Sequence, residues 1–148
     1  EVRAGDEVVW ESTSTYLRRG RSNEDAPRGL VFDTTPTGTT EWRLPADLGR
    51  RYGAVSGDRN PIHLYPLTAK ALGFPRQIAH GMWSLARCVA ALENRLPDAV
   101  TVEVAFKKPI LLPGTVAFGH EATASGQSFA LTSPKDGAPH LVGRTTFA

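Results

Sequence analysis

Apolar residues follow two spacings along this chain, and the changes between them outline its elements. EVVWESTSTYLRRG, residues 7–20, is rich in Val, Trp, Thr and Tyr and predicts a strand. The polar stretch 21–29, with Pro27 and Gly29, predicts a loop. TGTTEWRLP, residues 37–45, predicts a second strand that Pro45 ends. The spacing then lengthens. Leu48, Tyr52 and Val55 recur as on one face of a short helix, with Pro45 in its first turn. Asn60-Pro61 predicts a turn, and a helical turn follows from Leu67 to Leu72, stopped by Gly73. From Gly81 to about Leu96, Met82, Leu85, Val89 and Leu92 make one helical stripe. Ala86 and Ala90 permit close packing there, Trp83 widens the apolar surface, and Pro97 ends the helix. Beyond it, period two returns. Val102, Val104 and Phe106 alternate, TVAFGHEATASG and QSFALTSP pair across Ser125-Gly126, and APHLVGRTTFA is a last strand. One long apolar helix among many antiparallel strands implies an α+β fold, a sheet wrapped on that helix. No repeat or linker interrupts it, so a single domain is expected over residues 1–148.

Composition changes this picture little. A chain of 148 residues is long enough for a real core, and 41% hydrophobic with 22% charged residues is ordinary for a folded domain. The net charge of +2 gives no support for nucleic-acid binding. Arg18-Arg19, Arg50-Arg51 and Lys107-Lys108 are short basic spots that read as solvated surface. The one cysteine, Cys88, has no partner for an internal disulfide and reads as a small buried hydrophobe, consistent with a reducing, cytoplasmic setting. No apolar run approaches the ~20 residues of a membrane span, and no membrane partner is expected.

The segment between the second strand and the long helix does not suit a core. Gly57 and Pro61 bracket Asp58, which predicts a tight turn that the Asn60 amide can brace. Asp58 and His63, five residues apart, put a carboxylate and an imidazole on one short rigid segment, a pair able to hold one water for acid–base work near neutral pH. His80-Gly81 opens the long helix. Free N–H groups gather at a helix start, and a glycine there lets a ligand oxygen approach the backbone, which predicts an oxyanion site at Gly81.

These residues stand in the run YGAVSGDRNPIHLYPLTA. It closely resembles the signature of the (R)-specific enoyl-thioester hydratases, the hydratase 2 or MaoC-like dehydratases. Tyr52, Ser56-Gly57-Asp58, Asn60-Pro61-Ile62-His63 and Ala69 carry the match, and Gly73 to Met82 and FKKPILLPG extend it to Gly114. The resemblance implies a hot-dog fold around the 81–96 helix. It implies reversible hydration of a trans-2-enoyl thioester, carried on CoA or acyl carrier protein, to the (R)-3-hydroxyacyl thioester. Asp58 and His63 would be the catalytic pair and Gly81 the oxyanion donor, with Ser56, Asn60, Met82 and Trp83 supporting or contacting substrate. No metal and no cofactor are implied.

Tyr65 departs from the pattern, because many members carry an acid two residues after the histidine. WESTSTYLRRG resembles the strand that opens the second half of double hot-dog hydratases. With no initiating methionine, this leads us to expect a C-terminal half, or else a homodimer. Asp58, His63 and His80 match no common metal-ligand spacing and lack a thiolate. His80 reads as structural, fixing the loop before Gly81. Met82, Trp83 and Leu85 read as core, although Trp83 could line an acyl tunnel. His120 and His140 receive no role. A thioester hydrolase and a non-catalytic acyl-thioester-binding subunit are the alternatives to a hydratase, and the intact acid–histidine pair argues against both.

Overall fold

The computed structural model describes residues 1–11 and 29–147. Five antiparallel strands form the main sheet, in the order β3 (Thr40–Leu44), β5 (Gly114–Thr123), β6 (Gly126–Thr132), β7 (Pro139–Phe147) and β4 (Val100–Phe106). The hairpin predicted across Ser125-Gly126 forms, with β5 and β6 paired from Thr123↔Gly126 to Ala117↔Thr132. The registers align one row of residues across all five strands: Thr40, Phe118, Leu131, Leu141 and Phe106. Period-two alternation puts Val116, Phe118, Phe129, Leu131 and Leu141 in one buried cluster.

That cluster packs on α4 (Gly81–Leu92), which a single 3-10 turn, Glu93–Arg95, extends. The α+β expectation therefore holds, but the predicted stripe on α4 holds only at Leu92 and, in part, Leu85. Ser84, Cys88 and Leu92 are the buried positions, four residues apart, while Leu85 and Val89 are half-buried. Met82, expected in the core, is 58% exposed. The sheet covers α4 most fully along the 84–88–92 line, with Trp83, Leu85 and Ala91 packed at its margins. Ala86, Val89 and Ala90 instead line an open groove with Leu96, Pro97 and Val100.

Between β3 and α4 lie α1 (Leu48–Ser56), α2 (Pro61–Leu64) and α3 (Pro66–Ala71). Leu48 is buried on α1, but Val55, expected on the same face, is 88% exposed. Ala69 rather than Leu67 anchors α3. Near the start, β1 (Val2–Ala4) and β2 (Glu7–Trp10) form a separate two-stranded ribbon outside the main sheet. The remainder of the predicted first strand, 12–20, and the loop at 21–28 lie outside the described residues. No helix among the described residues is long and apolar enough to cross a membrane.

Candidate active site

The site begins where α1 ends. Gly57 has φ +78°, the left-handed backbone that glycine adopts without strain, and its N–H closes the helix on the Gly53 carbonyl at 3.2 Å. A chain of short bonds then builds the next turn. The Asp58 N–H donates to Ser56 Oγ at 3.2 Å, the Asn60 N–H to Asp58 Oδ1 at 3.1 Å, and the Ile62 N–H to Asn60 Oδ1 at 3.3 Å. Asn60 thereby caps α2, and Pro61 occupies the first turn, where its missing N–H is not needed. Ser56 and Asn60 thus act as braces. One Asp58 oxygen is tied to the turn, and the other, Oδ2, stands 3.7 Å from His80 Nε2. The carbonyl of His63 presses so closely on Gly49 of α1 that any β-carbon there would collide with it, which fixes α2 against α1.

His63 is buried, and its Nδ1 lies 2.8 Å from the Ile78 carbonyl. A carbonyl only accepts, so Nδ1 carries the proton and the neutral ring presents its lone pair at Nε2. Nε2 stands 4.0 Å from Asp58 Oδ2. Burial pushes the His63 pKa below its ordinary value and the neighbouring His80 adds to this, while the Ile78 bond and Asp58 oppose them. The imidazole is therefore a neutral base at neutral pH. A water about 2.8 Å from both atoms would subtend roughly 90° across the 4.0 Å gap, near its own bond angle. Both partners accept, so such a water donates both hydrogens and turns its oxygen lone pairs outward.

His80 joins this group from the start of α4. Its ring stacks on His63 at 3.7 Å between centroids, and Tyr52 lies against its other neighbourhood at 4.9 Å. Asp58, His63 and His80 bring possible ligand atoms within 4.8 Å of one another, a convergence that the spacing in sequence did not suggest. Two of these nitrogens are occupied: Nδ1 of His63 by the Ile78 carbonyl and Nε2 of His80 by the Asp58 carbonyl. His63 Nε2, Asp58 Oδ2 and the buried His80 Nδ1 carry no hydrogen bond among the described residues.

Gly81 is the first residue of α4, so its N–H has no acceptor within the helix, and no side chain caps this end. It lines a cavity of about 210 Å³ with His63, Phe106, Lys107, Lys108 and His140. The Phe106 ring lies so near that a β-carbon on Gly81 would sit 3.1–3.3 Å from it. Lys107 and Lys108 are held by the start of β7: the Lys107 N–H donates to the His140 carbonyl at 2.9 Å, and His140 Nδ1 donates to the Lys108 carbonyl at 3.1 Å. Met82 and Trp83 do not line this cavity. Tyr65 is braced differently from an acid: the Arg50 guanidinium lies 5.1 Å over its ring and bonds the Leu64 carbonyl at 3.0 Å. Phe106 and His140 were missed in sequence, because only the register of β4 and β7 carries them to α4.

A five-stranded antiparallel sheet on one helix defines a hot-dog domain, with an acid and an imidazole gathered at the helix start. The chain belongs to the MaoC-like domain family, whose profile matches residues 25–136. It is 39% identical over 143 residues to the 3-hydroxyacyl-thioester dehydratase X of Mycobacterium tuberculosis (strain ATCC 25618 / H37Rv), a match covering 95% of this chain and 51% of that protein. Its fold superposes on the crystal structure of HtdX from Mycobacterium tuberculosis with a TM-score of 0.72 at 40% identity, over 76% of this chain and 48% of that one. The (R)-hydratase from A. caviae involved in PHA biosynthesis shares the fold with a TM-score of 0.62 at 23% identity, over 79% of this chain and 100% of that one. The chain thus spans about half the length of the dehydratase it matches.

Proposed function

We propose that this chain is the catalytic unit of a hydro-lyase that reversibly adds water to a trans-2-enoyl thioester, giving the (R)-3-hydroxyacyl thioester. The observation that carries the reading is the pair of acceptors, Asp58 Oδ2 and His63 Nε2, set 4.0 Å apart, with His80 Nε2 3.7 Å from the same oxygen. The family and the dehydratase relative point the same way. Water held between the two acceptors presents a lone pair to C3. As the new C3–O bond forms, the C2=C3 electrons move onto the thioester oxygen and one of the two acceptors takes a water proton. The Gly81 N–H, at the positive end of α4, stabilises the enolate oxygen. A proton then returns to C2 and the carbonyl re-forms. Dehydration runs through the same steps in reverse.

The carrier is read as CoA or acyl carrier protein, with Lys107 and Lys108 beside the cavity facing its phosphate groups. The cavity of about 210 Å³ is smaller than the ~300–1,000 Å³ usual for a ligand pocket. A long acyl chain therefore needs walls from a second hot-dog unit, either an identical copy or a preceding half. The half-length match to the dehydratase and the open groove beside α4 support such pairing. Loss of the conjugated enoyl-thioester absorbance on adding protein, with chiral analysis of the product, tests the reaction. Tight binding of the enoyl thioester with no loss of absorbance would establish the non-catalytic alternative. Sedimentation of the active species tests the pairing, and a fully active monomer would defeat it.

A further inference from the structure

We propose that His80 is a positioning residue that ties the Asp58 turn to the start of α4, holding the water-binding acid and the Gly81 amide in one fixed relation. The inference rests on the hydratase reading given above. His80 is the residue before α4, a position that usually carries a short polar side chain bonded to the first-turn N–H groups. Here the imidazole makes no such bond. It turns away, and its Nε2 lies 2.9 Å from the backbone carbonyl of Asp58. That carbonyl only accepts, so Nε2 carries the proton and the neutral ring has its lone pair at Nδ1.

This bond has two consequences. It leaves the first N–H groups of α4 uncapped beside the cavity, available to a substrate oxygen. It also joins two segments that are 22 residues apart in sequence. Bonds within residues 56–62 shape the Asp58 turn, the Gly57 N–H ties its start to α1, and the Ile62 carbonyl accepts the Ile78 N–H at 3.0 Å, but the His80 bond is the one that reaches Asp58 itself from the residue before α4. The Asp58 side chain is 53% exposed, so packing does not anchor it. His63 is fixed separately, through Ile78. The segment 78–81 therefore serves three elements in turn: the Ile78 carbonyl orients the His63 ring, the His80 side chain holds Asp58, and the Gly81 N–H faces the substrate. His80 is 2% exposed, and its ring stacks on His63, so it also sets the plane in which His63 Nε2 points. A shift of the Asp58 turn by about 1 Å would mis-set the water against C3, a displacement able to cost ~100-fold in rate.

Two substitutions separate positioning from packing. His80→Phe keeps a ring against His63 and removes the donor. His80→Gln places an amide N–H near the position of Nε2–H and removes the ring. His80→Phe should lower kcat by ~10–100-fold, with KM changed less than about 3-fold, and His80→Gln should recover most of kcat. Nitrogen NMR of the wild-type imidazoles gives a readout independent of turnover: His80 should carry its proton on Nε2 and His63 on Nδ1. In His80→Phe the His63 nitrogen resonances should stay in the Nδ1–H pattern, which shows the site still folded. Wild-type kcat in His80→Phe, or equal losses in both variants, would overturn the proposal. So would a wild-type His80 protonated on Nδ1, a measurement that also decides the matter if the Phe variant does not fold. A wild-type protein that hydrates no enoyl thioester would sink the hydratase reading, while the NMR result would still judge the bond between His80 and the Asp58 turn.

Discussion

Asp58→Asn isolates the acid–base chemistry from the architecture of the turn. The substitution is nearly isosteric, and its remaining oxygen can still accept the Asn60 N–H now bonded to Oδ1 at 3.1 Å. The other position changes from an acceptor to an NH₂ donor, 4.0 Å from His63 Nε2. A water at this site would then accept from the amide and donate only to His63. That uses one oxygen lone pair needed for C3 and removes one of the two proton acceptors. Loss of a positioned acid–base group costs ~10²–10⁴-fold in turnover, or about 2.7–5.5 kcal/mol of barrier. Stability should stay within ~0.5 kcal/mol, as for a surface change that keeps its bonds. Asp58→Ala is the contrasting case: it loses the Asn60 bond as well and should cost about 0.5–1 kcal/mol in urea unfolding. Initial rates of enoyl-thioester absorbance loss, read beside unfolding curves of the three proteins, check both arms. A folded Asp58→Asn protein turning over within ~3-fold of wild type would refute the two-acceptor geometry.

The same geometry fixes a pH dependence. With the folded-state pKa of His63 held below its ordinary value, hydration should be level through neutral pH and fall only on acidification below about 6.5. In that acid window the unfolded chain binds more protons than the native one, so stability present above 6.5 is lost as pH falls through the folded-state pKa; rates and melts rising toward acid would contradict this. Gly81→Ala keeps the N–H but sets a β-carbon 3.1–3.3 Å from the Phe106 ring, and it should lower kcat/KM by roughly 10-fold, partly restored by Phe106→Leu. Strictly additive effects in that double-mutant cycle would separate Phe106 from the Gly81 amide. The Cys88 thiol is fully buried, and burial pushes its pKa up to about 12. Thiol reagents should label the native chain only as fast as it opens, and fast stoichiometric labelling in buffer would overturn this.

Local chemistry made much of this protein legible in its sequence. Alternation marked β4 to β7 and the Ser125-Gly126 turn, because side-chain period and turn residues act over a few positions. Ser56, Asp58 and Asn60 likewise shape the turn through side-chain bonds spanning two residues, with Gly57 and Pro61 setting its backbone. Asp58, His63 and Gly81 could be singled out for the same reason; the fold sets Asp58 Oδ2 4.0 Å from His63 Nε2 and lines one cavity with His63 and Gly81. What the sequence did not reveal depends on residues far apart in the chain. Helical spacing cannot tell which face of α4 the sheet covers, so it predicts a buried Met82 where the structure exposes it. Apolar side chains favour burial but do not choose a partner, and the position of β6 beneath α4 made that choice. The His63 tautomer depends on a carbonyl 15 residues away, and the His80 tautomer on one 22 residues away. Phe106 meets Gly81 only because the registers of β4 and β7 align it with Leu141. Hydrogen bonds and ring contacts form over a few ångströms of space whatever the separation along the chain, so only the folded chain could supply them.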